Sequence, residues 1–496
     1  MAAKRKEFTV EQYLSPSKKD IEYMQPDQLK ISLICRMDSY KFAHPFAYRK
    51  GIQAMSAHML ARVKSHVTII PAGMQLLTKK YLTQRITMAD VDAAEQFAIG
   101  HFGRKLFARD SWEGVVNEHG GAIPIIIRAV PEGTRIRGGQ PLYSVTAFGE
   151  LYYWMSTAFE TLLQRGIWYP TTIATMDYDI KNDIRMFYED TGADMAMLPF
   201  ALHDFGARGV TAPEQAEIGG FAHTIGFMGS DNIEGILTAN FYYKCAMSAF
   251  SVYATEHSVE CSFGLGSEDE VEYIRHQLRQ APAGSIVSIV IDGKDTYRAT
   301  EAICTTLRDE VIACKAKVVL RPDSGDMQEI VPRLLRRLDQ AFGHVVNKKG
   351  FKKINYVGIL QGDGVDHLAI RSLLGNIMSR GYSADNVIFG SGGALLQKVN
   401  RDTYKFAQKA SAMMVDGKWI GLAKDPITDK GKKSEEGVLT LLRSRMTGEL
   451  MTGRLDDGPF DTEWEDVHQL VYHCGRLFNE TTLDEVRNRV EALGNY

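Results

Sequence analysis

The sequence predicts an α/β protein, a parallel sheet covered by helices with a second α+β unit drawn from both chain ends. Three observations predict it. Between residues 285 and 400, short β-rich apolar runs alternate with helical patterns, as strands of a parallel sheet buried on both faces do. Each of these runs ends in a polar segment, most of them bearing glycine. Past Asn400 the alternation gives way to hairpin patterns resembling the first 150 residues in character.

Taken in order, residues 1–20 are polar and lack the apolar core of a signal peptide. No apolar run approaches the roughly 18 residues needed to span a bilayer, so the chain is expected to be soluble and to stay where it is made. Residues 123–145 read as strands broken by turns at Pro131-Glu132-Gly133 and Gly138-Gly139. From about residue 160 the rhythm becomes strand, loop, helix. Thr211-Ala212-Pro213-Glu214 and Ser267-Glu268-Asp269-Glu270 read as capping boxes opening helices.

Strands are predicted at 286–291, ending in Asp292, and at 318–320, leading into Arg321-Pro322-Asp323-Ser324-Gly325-Asp326. Two more are predicted at 354–360, before Gln361-Gly362-Asp363-Gly364, and at 387–389, before Gly390-Ser391-Gly392-Gly393. Helices are expected at 365–378 and 394–399. Repetition beginning before residue 200 suffices for a barrel or a large open sheet. In the tail, 411–423 and 439–452 read as hairpins about Val415-Asp416-Gly417-Lys418 and Met446-Thr447-Gly448-Glu449. The expected division is an extension at 1–35, one α+β domain from 36–160 with 400–496, and the α/β core at 161–399.

Composition narrows the function. The 496 residues are 45% hydrophobic and 24% charged, with a net charge of −3, so no whole-chain field draws in nucleic acid or an anionic membrane. Six cysteines without a CxxC pair suggest neither a disulfide framework nor zinc, and they read as reduced thiols of a cytoplasmic protein.

The strand ends carry the chemistry. In parallel α/β barrels the loops after the strands converge on one mouth. Gly362 and Gly364 flank Asp363, and Gly392-Gly393 precede a helix pattern; glycines there let backbone N–H groups approach phosphate oxygens. Arg321 beside Asp323 offers a guanidinium for phosphate and a carboxylate for sugar hydroxyls or Mg²⁺. Asp292 and Asp363 add carboxylates of the second kind. Four such ends in a row describe a sugar-phosphate site better than four coincidental turns. His203-Asp204-Phe205-Gly206-Ala207-Arg208-Gly209 reads either as a helix-start loop with a core phenylalanine or as an aromatic platform with an anion clamp. His257, beside Glu256, reads as a structural histidine or as a functional one oriented by that carboxylate. Lys409, Lys424, Lys430, Lys432 and Lys433 could serve phosphates or be solvated surface lysines.

These motifs, with Asp38-Ser39-Tyr40-Lys41, Glu256-His257-Ser258, Ser391-Gly392-Gly393-Ala394-Leu395-Leu396-Gln397-Lys398 and Lys424-Asp425-Pro426, occur in this order in nicotinamide phosphoribosyltransferases, which the chain resembles from about residue 36 onward. The resemblance implies a type II phosphoribosyltransferase fold, with an α/β-barrel-like core and a second α+β domain formed by both chain ends. It implies condensation of nicotinamide with phosphoribosyl pyrophosphate, giving nicotinamide mononucleotide and pyrophosphate in NAD salvage. Mg²⁺, held mainly by substrate phosphates, would be the cofactor and ATP a coupled co-substrate. A homodimer with shared active sites is also implied, Asp38, Tyr40 and Arg62 reaching the partner's site.

Residue by residue, Phe205 and Tyr40 match the rings that sandwich the pyridine. Arg208 and Asp231 match the groups that hold the carboxamide, with Ser288 nearby. Arg321, Asp323, Gly362, Asp363, Gly392, Gly393 and Arg401 match the ribose and 5-phosphate site, and Lys409, Lys424 and Lys432 match lysines near the phosphates. His257 matches the histidine that ATP phosphorylates, with Asp292 and Glu256 beside it. Two departures are Phe250 and Ala207, where tyrosines are expected.

Two rival readings stay open. One is a nicotinate phosphoribosyltransferase. If Asp231 faces the substituent at ring carbon 3, it accepts a hydrogen bond from an amide but repels a carboxylate. Two like charges about 4 Å apart cost on the order of 4 kcal/mol at an effective dielectric near 20, roughly a thousandfold in binding. The other is a non-catalytic binding protein on the same fold, against which stand His257, Asp292, Arg321, Asp323 and Asp363, all present.

Overall fold

The structure, a computed structural model, describes residues 29–424 and 435–492. Most of the predicted extension at 1–35 lies outside these residues, as do Lys430, Lys432, Lys433 and Asp425-Pro426.

Strands from both ends of the chain share one antiparallel seven-stranded sheet. Its order is Lys418–Gly421, Phe406–Val415, Ile52–Ala61, Pro141–Phe148, Ile125–Ala129, Gln469–His473 and Arg476–Leu477. Ile52–Ala61 sits between an N-terminal and a C-terminal neighbour, paired with Pro141–Phe148 on one side and Phe406–Val415 on the other. Both predicted hairpins form. In the first, Val415 pairs with Lys418 across Asp416 and Gly417, whose φ angles of 49° and 72° give the left-handed two-residue turn that matches strand twist. The second joins Leu439–Ser444 to Leu450–Arg454.

The core is a curled parallel sheet of seven strands: β1 (Leu202–Asp204), β2 (Gly229–Ser230), β3 (Tyr253–Ala254), β4 (Ile286–Val290), β5 (Lys317–Arg321), β6 (Val357–Gln361) and β7 (Val387–Ser391). Their order is β2-β1-β7-β6-β5-β4-β3. A parallel bridge between Gly229 and Phe250, just ahead of β3, ties the last strand back to the first. It consists of Phe250 N–H to Met228 C=O at 2.8 Å and Ser230 N–H to Phe250 C=O at 3.0 Å.

Helix α1 (Glu160–Thr191) joins the two halves. Its first turns bury Leu162, Leu163 and Ile167 in the core beneath the antiparallel sheet. Its last turns bury Ile180, Ile184, Phe187 and Tyr188 in the barrel core. Between them Tyr169, Ile173 and Ala174 pack with Phe221, Tyr243, Leu396 and Val486.

Several elements depart from the sequence pattern. The run at 354–360 is two strands, because Ile354 closes a hairpin, His344–Val346 with Lys352–Ile354, and Tyr356 turns at φ 61° before β6 begins. The helix expected at 394–399 is one turn, Gly393–Leu396. Neither capping box forms as predicted. Helix α2 (Pro213–Gly226) starts on Pro213 after an Ala212 cap, and Thr211 instead donates its N–H and Oγ1–H to Gln215 at 3.0 and 2.8 Å. Proline at the first helical position needs no N–H partner. Helix Ser267–Gln280 is capped one residue early, where Asp269 accepts from the Gly266 N–H at 3.1 Å.

Candidate active site

All seven barrel strands run the same way, so the residues that follow them gather at one end. The loops after β1, β2, β5, β6 and β7 enclose a cavity of about 440 Å³, lined by Phe205, Arg208, Asp231, Arg321, Asp323, Gly362 and Gly392 among others.

The ring end is built by β1 and β2. Phe205 leaves β1 with its N–H on the Ser391 carbonyl at 2.9 Å. One edge of its ring lies against Gly390 of β7: a Cβ there would sit 2.1 Å from Phe205 Cε2, so glycine at 390 makes room for the platform. Asp204, fully buried, brackets this corner. Its Oδ1 accepts the Gly206 N–H at 2.7 Å, its Oδ2 accepts from Asn232 Nδ2 at 3.0 Å, and its carbonyl accepts the Asp231 N–H at 3.0 Å. One carboxylate thus couples the loop bearing Phe205 and Arg208 to the loop bearing Asp231. Asp231 is exposed and accepts from the Ser251 hydroxyl.

Below the ring end, a second cavity of about 430 Å³ runs inside the barrel between Phe200, His203, Phe250, Tyr253 and Ser288. Burial pushes His203 down to about 4, so it presents a neutral ring. Phe250 packs on Phe200 at 6.2 Å between centroids.

The phosphate end is built by β5, β6 and β7. Arg321 Nη2 lies 3.4 Å from Asp323 Oδ2, and its buried Nε has no hydrogen-bond partner. Gly362 lets Asp323 close in, since a Cβ at 362 would meet Asp323 Oδ1 at 2.7 Å. Asp363 is exposed, as is Arg401, which pairs with Asp402 at 3.1 Å. Gly392 and Gly393 border the mouth, but the helix after them is too short to contribute a dipole.

The loop after β3 carries His257 as the first residue of a short helix (His257–Phe263) capped by Glu256. Its Nε2 is 2.9 Å from Asp292 Oδ1, a carboxylate only 4% exposed at the end of β4. Asp292 therefore orients the ring. Glu256, expected to do so, accepts from the Ser258 hydroxyl instead. Nδ1 of His257 is the nitrogen left toward solvent.

Of the remaining candidates, Asp38 and Tyr40 lie at a 3₁₀ turn, Ser39–Ala43, and Arg62, Lys409 and Lys424 on or beside the antiparallel sheet. Asp38 accepts from Thr161 Oγ1 at 2.7 Å, and Tyr40 is 56% exposed, edge-on to His44. Arg62 donates to the Lys405 carbonyl at 3.1 Å. Arg62, Lys409 and Lys424 form one cationic cluster: burial, then Arg62 and Lys424, lowers the Lys409 pKa.

Sequence reasoning named neither Asp204, Asn232 nor Ser251 as site residues. Asp204 had a signal, since it closes an apolar strand inside a motif already singled out. Glu260, one turn past His257, was also missed; burial raises its pKa, and Oε2 lacks a partner.

Comparison with known proteins identifies the family. Residues 200–471 match the nicotinate phosphoribosyltransferase family model, and residues 32–127 match the nicotinamide phosphoribosyltransferase N-terminal domain. A nicotinamide phosphoribosyltransferase of Xanthomonas campestris pv. campestris is 42% identical over 465 residues, covering 93% of this chain and 98% of the relative. The chain belongs to the nicotinamide phosphoribosyltransferase family. A second relative of that name, from Acinetobacter baylyi, is 28% identical over 93% of this chain and 97% of its own length. Among solved structures, nicotinate-nucleotide pyrophosphorylase from Pyrococcus furiosus superposes with a TM-score of 0.59 at 15% identity, covering 94% of this chain and 97% of that one. Human nicotinic acid phosphoribosyltransferase gives 0.51 at 17% identity, with 92% of each chain covered. The fold of this nicotinamide phosphoribosyltransferase family member is thus the type II phosphoribosyltransferase fold.

Proposed function

We propose that this chain condenses nicotinamide with 5-phosphoribosyl 1-pyrophosphate, giving nicotinamide mononucleotide and pyrophosphate in NAD salvage, with ATP hydrolysis coupled through His257. The observation that carries this reading is one cavity holding an aromatic platform and Asp231 at one end and Arg321 with Asp323 at the other. Phe205 stacks the pyridine, Arg208 flanks it, and Asp231 accepts from the carboxamide NH₂. Arg321 and the glycine-lined loops hold the 5-phosphate, while Asp323 takes the ribose hydroxyls. The C1–O bond breaks toward an oxocarbenium-like state and the pyridine nitrogen attacks the opposite face. The protein's part is to align the two substrates and stabilise the departing charge.

Mg²⁺ fits this site as a companion of the substrate phosphates. Asp292 and Asp323 are engaged by His257 and Arg321, which leaves the substrate phosphates as the ion's main ligands. When bound, it would neutralise pyrophosphate oxygens and improve the leaving group.

His257 takes the γ-phosphoryl group of ATP on Nδ1, since Nε2 is engaged by Asp292. The β–γ bridging bond breaks, ADP leaves, and water later releases phosphate and restores the imidazole. The added charge lies where Mg²⁺ and pyrophosphate bind.

We read the protein as a cytoplasmic homodimer. Helix α3 (Ile233–Tyr242) leaves Ile233, Leu237 and Phe241 68%, 60% and 78% exposed along one side, beginning two residues after Asp231. In the dimer read here, the second copy would supply Tyr40, Asp38 and Arg62 to the mouth, completing the ring sandwich. All six cysteines are unpaired, which suits a reducing compartment. Among the described residues no helix is long and apolar enough to cross a membrane.

The test is product analysis with nicotinamide and nicotinate in competition, each with phosphoribosyl pyrophosphate and Mg²⁺. Nicotinamide mononucleotide should dominate; nicotinate mononucleotide as the main product would replace this reading with the nicotinate enzyme, and no product with either would leave a binding protein.

A further inference from the structure

We propose that the buried pair His223–Asp177 is a positioning device for Asp231, anchoring strand β2 so that this carboxylate reaches the ring substituent. The inference rests on the reading of Asp231 as the group that selects the ring.

Strand β2 is two residues long, Gly229 and Ser230, and Asp231 follows directly. So short a strand has few ladder bonds to fix its height. Along its edges it has β1, with His203 opposite Gly229, and the single bridge to Phe250. Its third anchor comes from the helical layer. His223 near the end of α2 points Nε2 at the Gly229 carbonyl, 3.0 Å away, and Nδ1 at Asp177 Oδ2 of α1, 2.8 Å away. Both side chains are fully buried.

The pair shares one proton between Nδ1 and the Asp177 carboxyl, which leaves Nε2 to donate to the strand. With that proton on the Nδ1 side, Nε2 carries its own hydrogen and donates it to the Gly229 carbonyl. This holds whether the shared proton sits nearer the ring or the carboxylate. Burial alone would lower the His223 pKa, but Asp177, Asp204 and the Gly229 carbonyl reverse the effect and leave it raised. The ring cannot drift, for it stacks on Phe227 at 5.6 Å and 20°. Gly226 lets α2 approach α1: a Cβ there would lie 2.9 Å from Asp177 Cβ. Neither residue lines the substrate cavity, and the substrate reaction itself uses neither.

The experiment compares two double variants with the full-length wild type. His223→Leu with Asp177→Leu removes the anchor without stranding a buried charge, a replacement that packed interiors tolerate. His223→Gln with Asp177→Asn keeps an N–H able to reach Gly229. Losing one buried hydrogen bond should raise the nicotinamide KM about five- to tenfold and narrow the preference over nicotinate. The phosphoribosyl pyrophosphate KM should stay within about twofold, and the Gln/Asn pair should recover most of the loss. An unchanged nicotinamide KM in the folded leucine pair, an equal rise in both KM values, or a Gln/Asn pair as impaired as the leucine pair would overturn the proposal. If the leucine pair does not fold, His223→Phe with Asp177→Leu keeps the ring's volume, removes the donor to Gly229 and is read the same way. Asp231→Asn in the same run tests the underlying reading separately, since an unmoved nicotinamide-to-nicotinate ratio there overturns the role of Asp231 whatever the paired variants show.

Discussion

Replacing Gly390 by alanine places the smallest possible side chain against the ring that is proposed to stack nicotinamide. The new Cβ would lie 2.1 Å from Phe205 Cε2 and 2.4 Å from Cδ2, whereas carbon atoms rest about 3.5–4.0 Å apart. The ring must therefore retreat by roughly 1.5 Å. It cannot carry its backbone along, because the Phe205 N–H is held by Ser391 at 2.9 Å and the next residue by Asp204 at 2.7 Å. The platform tilts into the cavity while the chain stays put. Aromatic stacking contributes about 0.5–1.5 kcal/mol beyond burial, and its loss predicts a nicotinamide KM raised roughly twofold to tenfold. The turnover number should fall as well, since misplacing a reacting group by about 1 Å can cost a hundredfold. Overpacking should also cost about 1–3 kcal/mol of stability, seen as a lowered Tm. The assay is initial rates over both substrates, with a thermal melt on the same preparation. A folded Gly390→Ala protein with native nicotinamide KM and native turnover would show that Phe205 is not the platform.

Asp231→Asn should keep hydrogen bonding to the ring substituent but remove the charge, moving the nicotinamide-to-nicotinate ratio toward nicotinate by up to roughly a thousandfold; competition kinetics reads it, and an unmoved ratio would clear Asp231 of that role. Asp292→Asn should lower nicotinamide-stimulated ATP hydrolysis about tenfold or more, because the carboxylate 2.9 Å from His257 Nε2 sets which nitrogen is free; mononucleotide formation without ATP should fall less. Mixing Tyr40→Ala with His257→Ala subunits should restore activity through one intact mixed site, and confirmed mixed dimers without recovery would contradict a shared site. His58 is buried and pushed down to about 4 by burial, with Lys409 and His468 adding to it. The unfolded chain binds a proton there at pH values where the folded one does not, so this residue lowers stability as pH falls from about 6.5 to about 4, by about 1.4 kcal/mol per pH unit; His58→Gln should flatten that part of a denaturation-versus-pH curve.

How much of this was legible in the sequence depends on the range of the interaction that decides it. Strands β4, β5 and β7 announced themselves, because a buried parallel strand is a continuous apolar run and its end is marked by glycine and charge. The hairpin at Asp416-Gly417 was equally plain, since its turn is set by two adjacent residues. The 354–360 run misled because apolar content does not record the left-handed turn at Tyr356. The caps misled because the pattern at 211–214 could not show that Gln215 would take both Thr211 donors. Shared use of one sheet by residues 52–61 and 406–415 could only be anticipated from likeness of character, because pairing distant strands leaves no local trace.

The site divides along the same line. Arg321, Asp323 and Asp363 could be read from their positions after strands, where barrel geometry alone fixes their direction. Asp292 as the partner of His257 could be placed only through the family resemblance, for the two are 35 residues apart in the chain, whereas Glu256 was adjacent and attracted the local reading. Adjacency is a poor guide here for a physical reason. A residue at a helix cap points its side chain back toward the helix's own N–H groups and hydroxyls, and Glu256 does so with Ser258. A residue at the end of the neighbouring strand faces the same mouth as the helix's first residue, as Asp292 faces His257. Asp204 follows the same logic: it bonds Gly206 and Asn232, on two different loops, because β1 lies between the loop it begins and the strand beside it. In a barrel of this kind the groups that orient a functional side chain are to be sought on the adjacent strand, and only then on the adjacent residue.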